Sequence, residues 1–366
     1  MSAQTNVLSE PERAEVPAVN AGAVRVKPKN KLVRRTDVDY SQKLRRGVQI
    51  AFLLLNVWIG VQFYIFVRYF ESGGRTMSVS RPPGVEGWLP IAALMNLKAT
   101  LLTGQLPALH ASGMFLLIAF LAISLLLRKA FCSWLCPVGT VSEYLWRLGK
   151  KIFRRNFRLP RGVDIPLRGL KYLLLSLFLY AVVSMPVQGI IEFLHGPYGL
   201  IADVKMLNFF RFMGTTAILV IALLVVASLF VQNFWCRYLC PYGALMGLAA
   251  LFSPVRIRRD EPACIDCAKC AKACPAALPV DKLITIKSAE CAACMECVAV
   301  CPAEGALNLT TVLPRKRVPA WAVAAVIAAL FLGIVGWAQA TGHWESDIPA
   351  RIYFDLVPRA HELSHP

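Results

Sequence analysis

The sequence predicts an α-helical integral membrane protein with about five transmembrane helices, two tandem two-helix repeats and an inserted bacterial-type ferredoxin module of the α+β class. Three observations lead to this prediction. Hydrophobic residues make up 57% of the 366 residues and charged residues 17%; several long stretches carry no charge; and eight of the 12 cysteines lie in two ferredoxin motifs. This composition is not that of an ordinary soluble chain.

Five charge-free apolar stretches are predicted to cross the membrane, since a hydrocarbon core of about 30 Å takes roughly 20 residues. They are residues 48–67, 111–127, 172–191, 213–231 and 318–338, and 131–135 can extend the second. The predicted organisation is a disordered basic arm (1–46), a first membrane hairpin (47–144), a basic cytoplasmic loop (145–171), a second hairpin (172–250), the ferredoxin module (251–317), a fifth transmembrane helix (318–338) and a periplasmic tail (339–366).

Lysine and arginine predict the orientation, because they accumulate in short cytoplasmic loops. The arm, the segment 128–171 and the segment 236–317 carry 32 of the 40 basic residues. We therefore expect a bacterial inner (cytoplasmic) membrane protein with its N-terminus and clusters in the cytoplasm and its C-terminus in the periplasm. The net charge of +18 then reflects topology and contact with anionic lipid rather than nucleic-acid binding.

The ferredoxin motifs read "CIDCAKCAKACP" and "CAACMECVAVCP", each a C-x2-C-x2-C-x3-C-P run. In such paired runs the fourth cysteine ligates the other cluster. The predicted cofactors are two [4Fe-4S] clusters. The predicted ligands are Cys264, Cys267, Cys270 and Cys301 for one cluster, and Cys291, Cys294, Cys297 and Cys274 for the other. Four-cysteine zinc sites and disulfides are the alternatives; the continuous triplet fits zinc poorly, and a reducing compartment disfavours disulfides.

A second duplication, "FCSWLCPVGT" and "WCRYLCPYGA", closes each hairpin with a C-x3-C-P pair. Cysteines four apart share a helical face, and we expect the following proline and glycine to release the chain from the helix. A parallel repeat would bring all four thiols to one depth. They are a possible additional redox or iron-sulfur site, against the alternative of small apolar residues that pack in a core; its members are Cys132, Cys136, Cys236 and Cys240.

These residues resemble the membrane polyferredoxins of the NapH and NosR type, in two C-x3-C-P motifs at span ends followed by a two-cluster segment. The resemblance covers roughly residues 48–313 and implies electron transfer between the quinone pool and a redox partner protein. The chain departs from it by adding a fifth span and a tail, and by lacking the periplasmic flavin-binding domain of NosR-type proteins. The CcoG type is a weaker match because it has a longer C-terminal domain.

Three functions fit the sequence. The first is an electron-transfer subunit of a quinol dehydrogenase-like oxidoreductase, which we favour over a stand-alone enzyme. The second is a regulatory or maturation reductase for a partner metalloenzyme, and the third is a structural anchor with silent clusters. No catalytic residue is assigned. Candidates for the rim of a quinone site are Trp88, Lys98, Asp203 and Lys205, although the stretches that carry them also read as lid helices over the hairpins.

All five histidines fall in segments predicted to lie outside, which argues against a bis-histidine haem pathway through the membrane. Among them, His195 is the candidate for a metal or haem contact, with Glu192 near enough in sequence to orient it. Ordinary loop histidines are the alternative.

Overall fold

The computed structural model describes residues 33–36, 38–154 and 156–364. Its long helices are α1 (Ser41–Glu71), α3 (Ala111–Leu127), α6 (Arg161–Ser184), α10 (Thr215–Phe230) and α14 (Ala320–Ala340). The remaining helices are shorter: α2 (Pro90–Thr103), α4 (Ala130–Trp134), α5 (Pro137–Phe153), α7 (Val187–His195), α8 (Pro197–Leu200), α9 (Ala202–Arg211), α11 (Pro241–Leu251), α12 (Lys269–Ala273), α13 (Glu296–Ala299) and α15 (Ala350–Leu356).

Three described helices are long and apolar enough to cross a membrane: α1, α6 and α14. A fourth span results if α9 and α10 count together, although they meet at a 79° bend. Helix α3 has 17 residues and α10 has 16. By length and composition the structure therefore supports three or four spans, and the count of five stays a prediction.

The third predicted span, 172–191, is wrong at both ends. Helix α6 begins 11 residues earlier, at Arg161, and ends at Ser184. Pro186 causes the end, because the residue before a proline avoids helical backbone angles and Met185 is extended, with ψ of 127°. The early start was missed because Lys171 interrupts the apolar pattern; the structure buries this side chain against Glu290.

Helix α3 is the centre of the helical bundle. It packs against α14, α2 and α11, and most of its side chains are buried. A helix that is apolar all round is expected to be surrounded by other elements. Helices α1 and α14 instead expose apolar side chains such as Trp58 and Leu332, as expected of surfaces that face lipid.

The ferredoxin module rests on the same core as the bundle. Strands β1 (Val255–Arg259) and β2 (Leu307–Thr311) pair antiparallel, with Val255 opposite Thr311. One apolar cluster runs from Leu117 in α3 to Ile257 in β1 and Cys297 in α13. The two ferredoxin motifs are thereby held at one end of the bundle, which we call the cluster end; the opposite end we call the far end.

The described part of the N-terminal arm is ordered, which corrects the prediction of a disordered arm for these residues. The Arg35 amide donates to the Pro302 carbonyl at 3.0 Å, and the Glu304 amide donates to the Val33 carbonyl at 2.9 Å. The arm thus adds a short extended segment beside the second ferredoxin motif. Residues 1–32 lie outside the described part of the chain.

The segments predicted as a basic loop and a tail also contain helices. Helix α5 and the first turns of α6 occupy most of 145–171. Helix α15 packs on α1, where Tyr353 lies edge-on to Phe66 with ring centroids 5.1 Å apart. The two stretches that carry the candidate quinone-rim residues, which also read as lid helices, form α2 and α9.

Candidate functional site

The eight ferredoxin cysteines line two separate cavities. One cavity, of about 20 Å³, is lined by all four members of the first predicted set, Cys264, Cys267, Cys270 and Cys301. The other, of about 90 Å³, is lined by all four members of the second, Cys274, Cys291, Cys294 and Cys297. We call them the outer and inner cavities, because Cys267 is exposed to solvent whereas Cys274, Cys291 and Cys297 are buried.

The fourth cysteine of each ferredoxin motif lies in the cavity of the other motif, as is expected of paired ferredoxin runs. Cys274 belongs to the first motif but lies in the inner cavity, and Cys301 belongs to the second but lies in the outer one. Within the described part of the chain, no three His, Cys, Asp or Glu side chains are close enough to share one metal ion. The cysteines surround a space, as ligands of a multi-iron cluster do, and this donor set fits [4Fe-4S] clusters.

The inner cavity extends to the thiols of the membrane hairpins, since Cys132 and Cys236 also line it. Their partners Cys136 and Cys240 face away, into a cleft of about 500 Å³ between α1, α3 and α14. We call this the membrane cleft. The four hairpin thiols therefore form one group between the inner cavity and the membrane cleft.

Cys136 and Cys240 are the N-caps of helices α5 and α11. Their sulfurs accept hydrogen bonds from the amides of Gly139 at 3.4 Å and Gly243 at 3.2 Å. Helix α4 ends at Trp134, as expected ahead of a proline, but Pro137 also takes the first position of a new helix, where its missing N–H costs nothing.

Gly139 is needed for close packing. A Cβ at this position would lie 2.3 Å from the Cys132 carbonyl oxygen, so a larger residue would push the two halves of the C-x3-C-P motif apart. The repeated glycine, Gly243, has more room.

Burial makes the hairpin thiols hard to ionise without a cation. It raises the pKa of Cys132 to about 11. Burial and the neighbouring thiols likewise raise the pKa of Cys136 and Cys236. A group of four half-buried thiols fits a metal cluster, whose iron would hold them as thiolates. The residues present are therefore suited to a third iron-sulfur site.

A buried charge network links the hairpin thiols to the inner cavity. Glu290, next to Cys291, accepts from Lys171 Nζ at 2.5 Å and 2.6 Å, and Lys129 Nζ lies 3.7 Å from the same carboxylate. Burial opposes the charge of Lys129, but Glu290 and the nearby Cys132 raise its pKa above the usual value. A cation thus faces the place where anionic cluster charge would sit.

The second ferredoxin motif is fastened to the bundle by polar contacts. Arg45 of α1 bonds Glu143 of α5 at 2.7 Å and Glu296 of α13 at 2.7 Å. The Ser133 hydroxyl donates to the Ala292 carbonyl at 2.6 Å, and Gln42 donates to the Cys294 carbonyl at 2.9 Å. These contacts fix the inner cavity against the hairpin thiols.

The four predicted quinone-rim residues do not form one site. Trp88 lines the membrane cleft, whereas Lys98 donates to the Val183 carbonyl at 2.9 Å and Lys205 to the Ala360 carbonyl at 2.7 Å. Asp203 is buried and paired with Arg81 at 2.7 Å. Lys205 and Trp88 both line a groove of about 1100 Å³ at the far end, whereas Lys98 and Asp203 are not part of its lining.

The predicted role of Glu192 is also wrong. The His195 ring nitrogen Nδ1 contacts the Ile191 carbonyl of its own helix at 2.9 Å, and Glu192 accepts from Gln188 at 3.0 Å. A buried histidine with charged neighbours is His110, which the sequence did not single out. Its Nδ1 lies 3.4 Å from Glu86 Oε1, too far for a good hydrogen bond but close enough for an ion pair.

Glu86 is the centre of a buried charge network at the far end. It accepts from Arg81 at 2.8 Å and Ser346 at 2.5 Å, and also from Ser112. Burial opposes its ionisation, but Arg81 and His110 outweigh burial and hold the pKa of Glu86 well below the usual range. Apart from Arg81, five residues away, the partners of Glu86 are distant in sequence, so a local pattern could not have revealed the whole network.

Comparisons with known proteins agree with the cysteine pattern. A 4Fe-4S binding domain family matches residues 109–159 and 213–259, which hold the two C-x3-C-P motifs. A 4Fe-4S dicluster domain family matches residues 256–302. No solved structure matches.

Three curated relatives indicate the wider class. YccM of Escherichia coli (strain K12), named as a candidate electron transport protein, is 50% identical over 88% of this chain and 91% of its own length. The ferredoxin-type protein NapH of the same organism is 31% identical over 50% of this chain and 59% of its own. The regulatory protein NosR of Pseudomonas aeruginosa is 35% identical over 44% of this chain and 22% of its own.

Proposed function

The chain belongs to the family of membrane polyferredoxins of the NapH and NosR type, and we propose that it carries electrons between the membrane quinone pool and a redox partner protein. In this proposal the protein lies in the bacterial inner membrane, and its cluster end faces the cytoplasm. The observation that carries the proposal is the shared inner cavity. Two hairpin thiols and four ferredoxin cysteines line one space, so a membrane redox site and a ferredoxin cluster would be direct neighbours.

Three sites follow one another from the membrane outward. Cys132, Cys136, Cys236 and Cys240 would hold the first group, beside the membrane cleft. The inner set of Cys274, Cys291, Cys294 and Cys297 comes next, and the outer set of Cys264, Cys267, Cys270 and Cys301 comes last, where Cys267 reaches solvent. Bound clusters would supply one-electron redox chemistry at each position.

The protein residues hold and insulate this path. Arg45, Gln42 and Ser133 fix the inner motif to the bundle, and the apolar core around Cys297 excludes water. Oxidation of a quinol to a quinone would release two electrons and two protons, and clusters bound by these cysteines would supply one-electron chemistry. Sites placed in line allow the two electrons to leave in succession.

The test is anaerobic purification of the full chain in detergent, with iron and sulfide analysis and an EPR-monitored redox titration. We expect three [4Fe-4S] signals in the wild type, and loss of one signal with about four irons in Cys132→Ser/Cys236→Ser. Val141→Ser, an exposed change on α5, is the control. Two signals that the double variant leaves unchanged would overturn the third site.

A second measurement separates electron transfer from the alternatives. Decyl-ubiquinol or menadiol is added to oxidised protein, and reduced protein is mixed with the matching quinone. Exchange of electrons in either direction supports the proposal. Intact clusters that exchange none with any quinone would favour a maturation reductase or a structural anchor.

A further inference from the structure

We propose that the ring of a membrane quinone binds in the membrane cleft, at the end formed by Cys136, Cys240 and Tyr242. This inference rests on the quinone function proposed above and gives it a location. No sequence motif identifies such a site, and the four predicted rim residues do not all line one space. The cleft is identified by its shape, its lining and its position beside the hairpin thiols.

The cleft has the size and lining of a site for an apolar ligand. Its volume of about 500 Å³ falls within the usual range for small-molecule pockets. Phe52, Leu55, Ile59 and Gln62 line it along α1, a helical length of about 15 Å at 1.5 Å per residue. Leu55 is 44% exposed, so the cleft can be entered from surrounding lipid.

The hairpin thiols give the cleft a redox neighbour. In each C-x3-C-P motif the first cysteine lines the inner cavity and the second lines the membrane cleft. A ring at this end of the cleft would touch the group that borders the inner ferredoxin set. Placement elsewhere in the cleft would lengthen the electron path.

Tyr242 supplies a hydrogen-bond donor at the same end. Its ring lies edge-on to Phe131 with centroids 5.9 Å apart, and its centroid is 6.5 Å from that of Phe120. Tyr242 lines the cleft, and its hydroxyl makes no hydrogen bond to any residue that the structure describes. Val138 occupies the equivalent position of the first repeat and also lines the cleft, so only one of the two repeats offers a hydroxyl to a quinone carbonyl.

A larger groove at the far end is a poorer candidate. It has a volume of about 1100 Å³, and its lining includes the charged residues Arg68, Glu71 and Arg211. No cysteine lines it. Charged residues also line the membrane cleft, namely Arg81 and Glu345, so charge alone does not separate the two spaces. A prenylated quinone in the far-end groove would, however, have no redox group beside it.

The experiment is a binding titration of the cluster-loaded full chain in lipid nanodiscs with 2-heptyl-4-hydroxyquinoline N-oxide, a fluorescent quinone analogue whose emission is quenched on binding. Val335→Trp fills the cleft from α14, and Leu332→Trp adds the same side chain on the exposed face of that helix. Tyr242→Phe removes the donor and keeps the ring. Phe209→Trp alters the far-end groove.

We expect wild type, Leu332→Trp and Phe209→Trp to bind the analogue equally. Val335→Trp should raise Kd at least ten-fold, and Tyr242→Phe should raise it about three- to ten-fold, the range expected for one neutral hydrogen bond. Iron content should be the same in all five proteins, which shows that the variants fold. Wild-type affinity in Val335→Trp would overturn the cleft as the site. Absence of binding by the cluster-loaded wild type would overturn the quinone function itself.

Discussion

At the residue scale, the cysteines do more than match a spacing. The fourth cysteine of each ferredoxin motif lies with the other motif's triplet, and the second cysteine of each hairpin motif caps a helix. A single cysteine would therefore have two functions, as a proposed cluster ligand and as the residue that starts or turns a backbone element. A substitution at one of these cysteines should therefore affect both cluster binding and the local backbone structure.

Single cysteine changes should separate the inner and outer clusters. We expect Cys274→Ser to remove the EPR signal of the inner cluster, although Cys274 belongs to the first motif, and Cys301→Ser to remove that of the outer cluster. Comparison of the single variants Cys274→Ser and Cys291→Ser checks the assignment, because each should abolish the same signal. Loss of different signals by these two variants would contradict the crossed ligand sets.

The buried pair of His110 and Glu86 predicts a pH dependence of stability. Burial opposes the charge of His110, but Glu86 raises its pKa above the usual 6.5. A raised histidine pKa stabilises the fold fully below pH 6.5, and this stabilisation is lost as pH rises through the raised value. We expect the wild-type thermal midpoint in detergent, followed by tryptophan fluorescence, to fall over that interval.

The matched variants are His110→Gln and His195→Gln. His110→Gln should flatten this part of the pH profile, whereas His195→Gln, at an exposed helix end, should leave it as in wild type. The same slope in all three proteins would show that another group titrates.

At the element scale, the contacts of α1 with α5 and α13 decide where the inner cluster sits. Arg45 is 1% exposed and bonds carboxylates from both partner helices. The described part of the arm, just before α1, pairs with the chain near Ala303. The first spanning helix thus positions a ferredoxin motif about 250 residues later in the sequence.

Loss of Arg45 should loosen the inner motif. Arg45→Met leaves Glu143 and Glu296 with only Arg147 as a basic partner among the described contacts, and breaking a buried pair costs about 3–5 kcal/mol. We expect faster hydrogen exchange at residues 291–300 and earlier loss of iron on warming. Arg46→Met, the exposed neighbour, is the control and should match wild type; unchanged exchange in Arg45→Met would contradict this role.

At the scale of the whole molecule, the arrangement is a path from lipid to water. The membrane cleft, the hairpin thiols, the inner cavity and the outer cavity follow one another, and the last of them opens beside Cys267. Lys269 and Lys272 are exposed near this opening. The carboxylates of Asp266 and Asp281 line the outer cavity itself, so a redox partner should meet charges of both signs where the path ends.

Small oxidants can test this surface without the partner. We expect Lys269→Glu/Lys272→Glu to slow oxidation of the reduced protein by ferricyanide, an anion, several-fold at low salt and to speed oxidation by cobalt tris-phenanthroline, a cation. The control is Arg315→Glu/Lys316→Glu, which makes the same charge change just after Thr311, at one end of the two-stranded sheet. The outer cavity lies at the other end of that sheet, where Arg259 contacts Cys264. Equal effects of both double variants would mean that net charge, not this surface, controls the rate.

Local patterns were enough to recognise an apolar, helical chain and its cysteine motifs. Hydropathy along one helix reports whether it can lie in lipid, and cluster ligands recur at fixed short spacings, so both are visible in the sequence. The same local rules failed at α6, where the buried Lys171 and Pro186 moved both ends. At the C-x3-C-P motifs they predicted the end of one helix but not the new helix that each proline begins.

The sequence by itself determined that this chain is a membrane-type helical protein with two ferredoxin motifs and two hairpin thiol pairs. Only the tertiary structure decided which cysteine of each pair faces the inner cavity and which faces the membrane cleft. It alone joined Gln42 to Cys294, 252 residues apart, built the His110 and Glu86 network, and turned Tyr242 toward the cleft. These features depend on how helices pack against one another, and packing joins residues whose separation in sequence leaves no periodic signal.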